Sequence, residues 1–421
     1  MASLNAKPAD DSVVEGPVAS TEPANLRRIL TWLLLANSAM YLIYGGIGGV
    51  LNPLLVERAV GAADKVSALG IVYGVSAIFA TLANPIAGAF SDRVGRRNPF
   101  ILGGAVLAAV VLAILGSVHT LLLVALFWSL GQMFMNVLQA AITAMVPDRV
   151  PTERLGTASA VVGLGLPVGG LVGAIVAGIL STSLGIAYLT FAVIIAFFGV
   201  LFTWRVKDVP LNRKSATPGV RAQIAAFTDA LRVADFRWAF IGRALLVLGF
   251  FSVYGYQLYI LQDRVDLPSG ISPAGGTSIL SVISTLTMGI AVAAGGTLSD
   301  RLGRRKIFVA VSGTIAGLAV LIPLLFTSWL AMIVFTLVNG LAFGCFMAVD
   351  TAVVATVLPS KGDAARDMGV LNVANAGPQI IAPFLASLLI AHLGGYDTLF
   401  VYSGIVTVVG AISVYRIRSV R

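Results

Sequence analysis

The sequence predicts an all-α membrane protein of twelve transmembrane helices, arranged as two pseudo-symmetric halves of six. Three observations carry that prediction. Apolar residues fill 58% of the 421 positions and charged residues only 11%, against about 25% in a soluble globular chain. Apolar stretches long enough to cross ~30 Å of hydrocarbon at 1.5 Å per residue recur from Leu26 onward. A ten-residue basic motif occurs twice, at the same point of each half.

Residues 1–25 are rich in Ala, Ser, Pro and acids and have no apolar core behind a basic start, so they are expected to form a disordered cytoplasmic tail rather than a signal peptide. Spans are expected at 28–51, 67–90, 99–118, 121–146, 155–181 and 185–205, which make a first half at 26–205. The longest internal polar segment, 206–236, is expected to be a central cytoplasmic loop. Spans at 237–261, 277–298, 307–327, 329–357, 366–391 and 396–415 make the second half at 237–415, and 416–421 form a short cytoplasmic tail. The 45 glycines suit helices whose backbones approach closely in lipid.

Charge sets the expected orientation. With the N-terminus inside, 24 of the 28 Lys and Arg fall in cytoplasmic segments; Arg58, Lys65 and Arg264 lie at the other end and Arg243 within the seventh span. The positive-inside rule then places both termini in the cytoplasm, with the chain in the plasma (inner) membrane of a prokaryote. The +9 net charge needs no nucleic-acid partner. Cys345 alone builds neither a disulfide nor a thiolate metal site, and with only His119 and His392, both near helix ends, zinc and a nucleophilic triad are not expected. No phosphate-binding G-x-x-x-x-G-K-[ST] loop occurs. The chain is therefore expected to be no enzyme, to hold no cofactor, to draw on an ion gradient, and to act as a monomer on a small solute.

The repeated motif reads Gly88-Ala-Phe-Ser-Asp92-Arg93-Val-Gly95-Arg96-Arg97 after the second span and Gly296-Thr-Leu-Ser-Asp300-Arg301-Leu-Gly303-Arg304-Arg305 after the eighth, at an offset of 208 residues. Each glycine before the paired arginines permits a turn too tight for a side chain, and the arginines are expected in the headgroup layer, drawn to anionic lipid by about 1 kcal/mol each. In these residues the chain resembles the major facilitator superfamily. That resemblance implies two parallel six-helix halves rocking around a solute site near the midplane, and it implies that Asp92 caps the eleventh helix when the cavity opens outward. The run Gly95-Arg96-Arg97-Asn98-Pro99-Phe100 further resembles the sucrose and glycoside branch, as do Asp367 to Asn372 and Pro378-Gln379. Gly163-Leu-Gly165-Leu-Pro167-Val-Gly169-Gly170 resembles the Gly-Pro motif of proton-driven drug exporters, but departs from it at Leu166 and in the spacing after Pro167.

Polar residues inside spans are expected to face protein or a water-filled cavity. Asn37, Tyr41 and Tyr44 in the first span, Gln132, Asn136 and Gln139 in the fourth, and Asn372, Asn375 and Gln379 in the eleventh each share one helical face. The seventh offers Tyr254, Gln257 and Tyr256, and the tenth presents Asn339, Phe343, Phe346 and Asp350 at steps of 4, 3 and 4. The resemblance implies that the first, fourth, seventh and tenth helices line the cavity. Asp350 is the one carboxylate expected well inside a span, and Arg243 lies at comparable depth; the two are expected to pair. The pair either exchanges a proton as access alternates or is a fixed bridge that neutralises two costly charges.

Neutral amides, tyrosines and phenylalanines suit an uncharged solute. A sugar or glycoside symporter coupled to protons leads, ahead of a proton-antiport exporter of drugs or secreted metabolites; a sensor that binds without transporting is a remote third reading.

Overall fold

The computed structural model describes residues 23–151, 154–210, 227–357 and 364–419; of the expected tail at 1–25, residues 1–22 lie outside them, as do much of the central loop and the last two residues, while 23–25 already belong to the first helix. Among the described residues are twelve helices long and apolar enough to span a bilayer. The first half comprises α1 (Leu26–Val60), α2 (Lys65–Val94), α3 (Asn98–Leu115), α4 (Leu121–Arg149), α5 (Ala158–Leu180) and α6 (Leu184–Arg205). The second comprises α7 (Ala234–Tyr254), α8 (Pro273–Ser299), α9 (Arg305–Leu325), α10 (Trp329–Asp350), α11 (Val373–His392) and α12 (Gly395–Arg416). Apolar side chains such as Ile78, Leu82, Ile86 and Ile290 stand exposed on the outer faces, as a lipid-facing surface requires.

Packing repeats with a shift of six. In the first half α1 packs on α5 and α6, α2 on α4, and α3 on α4 and α6; in the second α7 packs on α11 and α12, α8 on α10, and α9 on α10 and α12. Between the halves, α2 meets α11 and α5 meets α8, the two contacts that a pseudo-two-fold axis interconverts. The duplicated motif is thus the local trace of a duplicated packing scheme.

Several elements depart from the expected bounds, each for a local reason. α1 runs on to Val60 and contains a π-helical stretch, Tyr44–Leu51, that periodicity did not show. Its glycines let two backbones touch: a Cβ on Gly46 would stand 2.6 Å from the Gly173 carbonyl oxygen of α5, and one on Gly169 would stand 2.9 Å from the Leu42 nitrogen. α5 is interrupted at Leu164, three residues ahead of Pro167, whose missing N–H removes a rung of the helical ladder. The seventh span ends at Tyr254 and, past a break at Gly255, resumes as a short helix, Gln257–Asp263. The segment expected as a loop is helical over 227–232, where Ala230, Phe227 and Leu231 form an apolar face against Phe236 and Phe240. Gly95 and Gly303 both adopt left-handed conformations, φ 69° and 62°, where a side chain would be strained.

Candidate functional site

The two halves are joined at one end. Lys65, at the start of α2 and only 4% exposed, places its ammonium 2.7 Å from Asp263 Oδ1, 3.0 Å from Gln262 Oε1 and 3.3 Å from Glu57 Oε1. Gln262 in turn donates to Glu57 Oε2 at 2.8 Å, and the Tyr396 hydroxyl donates to Asp263 Oδ2 at 2.6 Å. Tyr259 and Tyr256 donate to the carbonyls of Pro53 (2.8 Å) and Val66 (3.3 Å), and Ser278 donates to that of Ala174 (2.6 Å). Every one of these links except Lys65–Glu57 and Tyr396–Asp263 crosses from one half to the other at the Lys65 end. Among the described residues no hydrogen bond or ion pair joins the halves at the opposite end, where the Gly95 and Gly303 turns lie.

At that opposite end the first half carries a charged clasp of its own. Arg97 is buried within the protein, with Nη1 2.7 Å from Asp92 Oδ1 and Nε 2.9 Å from Asp148 Oδ2, and it also donates to the Ser91 hydroxyl. The left-handed turn at Gly95 reverses the chain and points this guanidinium back under α2 and α4. Burial works against the Arg97 cation, but the hydrogen bonds and charges of Asp148 and Asp92 outweigh it and hold its pKa above the ordinary arginine value. Asp92 is therefore engaged by Arg97, not by the start of another helix. Asp208 accepts from the backbone nitrogens of Arg97 and Asn98 at 3.4 and 3.3 Å, capping α3. Arg93 and Arg96 are exposed, as are Arg301 and Arg304 in the second copy; Arg305 is half-buried, Gly88 and Gly296 lie on α2 and α8, and the side chain of Asp300 lies outside the described residues.

A cavity opens within the second half, lined by α7, α8, α9, α10, α12 and the short helix. Its wall includes Phe250, Tyr254, Phe335 and Phe343, with Gln257, Ser284, Thr336 and Asn339 between them. Phe250 stacks on Phe343 with centroids 4.0 Å apart and planes 16° apart, and Tyr254 extends the stack at 5.9 Å and 15°. No residue lining it carries a charge.

A second, smaller cavity holds the ion pair. Arg243 Nε lies 3.0 Å from Asp350 Oδ2, and both side chains are buried. The contact is charge against charge, since the alignment falls short of a hydrogen bond. Trp238 and Gly242 of α7, Val309 of α9, Phe346 of α10 and Ser413 of α12 surround it. The pair therefore sits inside the second bundle, not on a face turned toward the first half. Phe343 and Phe346, with ring centroids 5.9 Å apart, line the larger cavity and the ion-pair cavity respectively.

Of the residues expected to line one cleft, the structure brings together Tyr254, Gln257, Asn339 and Phe343. Phe346 belongs with the ion pair. Tyr256 is drawn away, its hydroxyl donating to Pro383 at 3.0 Å as well as to Val66, because the break at Gly255 turns it toward α2 and α11. Asn37 donates to the Val162 carbonyl at 2.8 Å and so ties α1 to α5. In α4, Asn136 donates to Tyr44 at 3.4 Å and Gln139 to Tyr41 at 3.2 Å, so each tyrosine hydroxyl accepts from one amide, with Asn84 donating to Asn136 at 3.5 Å. Gln132 Oε1 is buried without a partner. Asn375 and Gln379 are half-buried on α11, and the side chain of Asn372 lies outside the described residues. The expectation missed Phe250, Ser284 and the whole Lys65 cluster; the one available signal was the presence of Lys65 and Arg264 at the end that basic residues otherwise avoid.

Comparison with known proteins agrees with this architecture. The chain is 25% identical over 415 residues to the multidrug resistance protein MdtG of Escherichia coli O9:H4 (strain HS), covering 93% of this chain and 94% of that one. It is 28% identical over 337 residues to MdtG of Dickeya zeae (strain Ech586), covering 75% and 78%. Among solved structures, the nucleoside transporter NupG superposes with a TM-score of 0.74 at 15% identity, covering 92% of this chain and 98% of that one, a likeness of fold. The profile described as Major Facilitator Superfamily matches residues 33–275 and 269–421; with twelve spanning helices in two equivalent halves, the chain is an integral membrane protein and belongs to that superfamily of transporters.

Proposed function

We propose that the protein is a proton-driven exporter of an amphipathic, drug-like solute. With the basic end in the cytoplasm, where the positive-inside rule puts it, the Lys65 cluster closes the outer end and the structure corresponds to a state closed to the outside. The observation that carries the reading is the wall of the larger cavity: four aromatic rings, several aliphatic side chains and few uncommitted polar groups. Such a wall favours a largely apolar solute held by a few placed hydrogen bonds. The name shared by relatives that align over most of their length, multidrug resistance protein, supports the same direction.

Sugar or glycoside symport, which the Gly95 to Phe100 run suggested, is less well supported. A sugar needs many free donors and acceptors, whereas Tyr41, Tyr44, Asn136 and Gln139 are engaged with one another and Asn37 is engaged with backbone. Coupling is assigned to Asp350. In the closed bundle Arg243 neutralises its charge; when access alternates and the packing of α7 against α10 loosens, the carboxylate can take up or release a proton.

The test is a screen of labelled solutes in inside-out vesicles with an imposed pH gradient. Export by antiport predicts solute accumulation driven by an acid interior and dissipated by a protonophore. Accumulation of a sugar in right-side-out vesicles, with no movement of drug-like solutes in either kind, would overturn it.

A further inference from the structure

The larger cavity combines two features that constrain its occupant beyond "amphipathic". Part of its wall is a stack of three near-parallel rings, Tyr254, Phe250 and Phe343, of which Tyr254 is the exposed member. Opposite chemistry is supplied by Gln257, which is only 9% exposed, lines the cavity and has no hydrogen-bond partner among the described residues. The Asn339 amide, by comparison, already donates to Ala316 at 3.2 Å and Thr336 to Met332 at 2.8 Å. The break at Gly255 is what delivers Gln257: it ends α7 and starts the short helix two residues later, with the amide at that helix's first position.

We propose that this cavity is a binding site for flat, uncharged aromatic molecules that present a donor–acceptor edge of the lactam kind, with the ring extending the Tyr254, Phe250 and Phe343 stack and the edge paired with Gln257. The proposal rests on the export reading and names the substrate class for it. A flat ring extends the aromatic stack at little entropic cost. A lactam matches a primary amide donor for acceptor and acceptor for donor, and so satisfies a buried group that otherwise goes without. A cation is disfavoured because no lining residue is acidic, and the nearby Asp350 is both in a separate cavity and already faced by Arg243.

The test is equilibrium dialysis of the purified full chain in detergent, with empty micelles subtracted, against four probes: 2-quinolinone, naphthalene, δ-valerolactam and N-methylquinolinium. The expected order puts 2-quinolinone first, naphthalene and δ-valerolactam each about tenfold weaker for lacking the edge or the ring, and N-methylquinolinium weaker still. Gln257→Leu is expected to weaken 2-quinolinone about tenfold and leave naphthalene unchanged, while Phe343→Leu weakens both. Gln257→Glu is expected to lose 2-quinolinone and gain N-methylquinolinium, a gain that misfolding cannot imitate. Equal binding of the cation by the wild type, or 2-quinolinone binding indifferent to Gln257→Leu, overturns the site. Binding as expected with no proton-driven movement in vesicles sinks the export reading and leaves the site standing; driven export of another solute with no 2-quinolinone binding does the reverse.

Discussion

Lys65 Nζ and Asp263 Oδ1, 2.7 Å apart and on different halves, form the shortest charged link across the interface at the end that is shut. Glu57 and Gln262 complete the shell around a lysine that is 4% exposed, and its ammonium stands 4.7 Å from the Tyr259 ring centroid. A buried ammonium is tolerable only with such partners. Rocking the halves apart must return Lys65 to water, so the cluster weights the closed arrangement without blocking the open one.

Removing the lysine is therefore expected to shift that balance. Lys65→Ala leaves Glu57 and Asp263 facing each other in the closed state, a loss on the order of 3–5 kcal/mol for breaking a buried pair, while the open, wetted state loses little. A cysteine introduced by Ser387→Cys, whose Cβ abuts Gly70 in the shut interface, in a chain with Cys345→Ala, reports opening. Its modification by a maleimide should speed up at least tenfold in Lys65→Ala; an unchanged rate would mean that the cluster is not a latch.

Asp350 separates coupling from structure. Asp350→Asn is expected to abolish gradient-driven accumulation while solute exchange at equal pH on both sides persists. Because it strands a buried arginine, it should also lower thermal stability, on the order of 3 kcal/mol. The double variant Arg243→Gln with Asp350→Asn removes both charges and should regain most of that stability without regaining accumulation. Wild-type accumulation in either variant rules out a proton role for the pair, which would then serve packing alone.

How much of this was legible in the sequence depends on the range of the interaction. The steps of 4, 3 and 4 from Asn339 to Asp350 follow from one helix's periodicity, and the repeat of Gly88 to Arg97 in Gly296 to Arg305 exposed the duplication. That stripe nevertheless splits: Phe343 faces one cavity and Phe346 and Asp350 another. Asn37 shares a helical face with Tyr41 and Tyr44 but reaches sideways to Val162, a choice made by the neighbouring helix rather than by spacing. The Lys65 cluster is held by bonds between residues up to 205 positions apart and leaves no periodic trace. Arg96 and Arg97 are the same residue type side by side, and only the left-handed turn at Gly95 decides which one is buried.

That last pair makes a test. Arg97→Ala strands Asp92 and Asp148, so it is expected to destabilise the first half by about 3–5 kcal/mol. Arg96→Ala removes an exposed charge and is expected to change stability by less than about 0.5 kcal/mol. The midpoint of thermal unfolding in detergent distinguishes them: a fall for Arg97→Ala only is the expected outcome, and equal falls would place both arginines in a merely lipid-facing role.

The contact of α1 with α5 yields the sharpest contrast, because two nearby glycines differ in what they face. A Cβ on Gly173 would run into the Leu42 carbonyl oxygen and stand 2.9 Å from the Gly46 nitrogen, all backbone that cannot swing aside, whereas a Cβ on Gly170 meets nothing within 4 Å. Gly173→Ala must push α5 off α1 exactly where α1 is π-helical, and overpacking of this kind costs about 1–3 kcal/mol. Gly170→Ala gains helix propensity, at most about 1 kcal/mol, with no clash. Gly173→Ala should therefore lower the unfolding midpoint and Gly170→Ala hold or raise it. Should Gly173→Ala prove as stable as the wild type, the two backbones are not in the contact described, and the glycines of Tyr44–Leu51 would need a reason other than close approach.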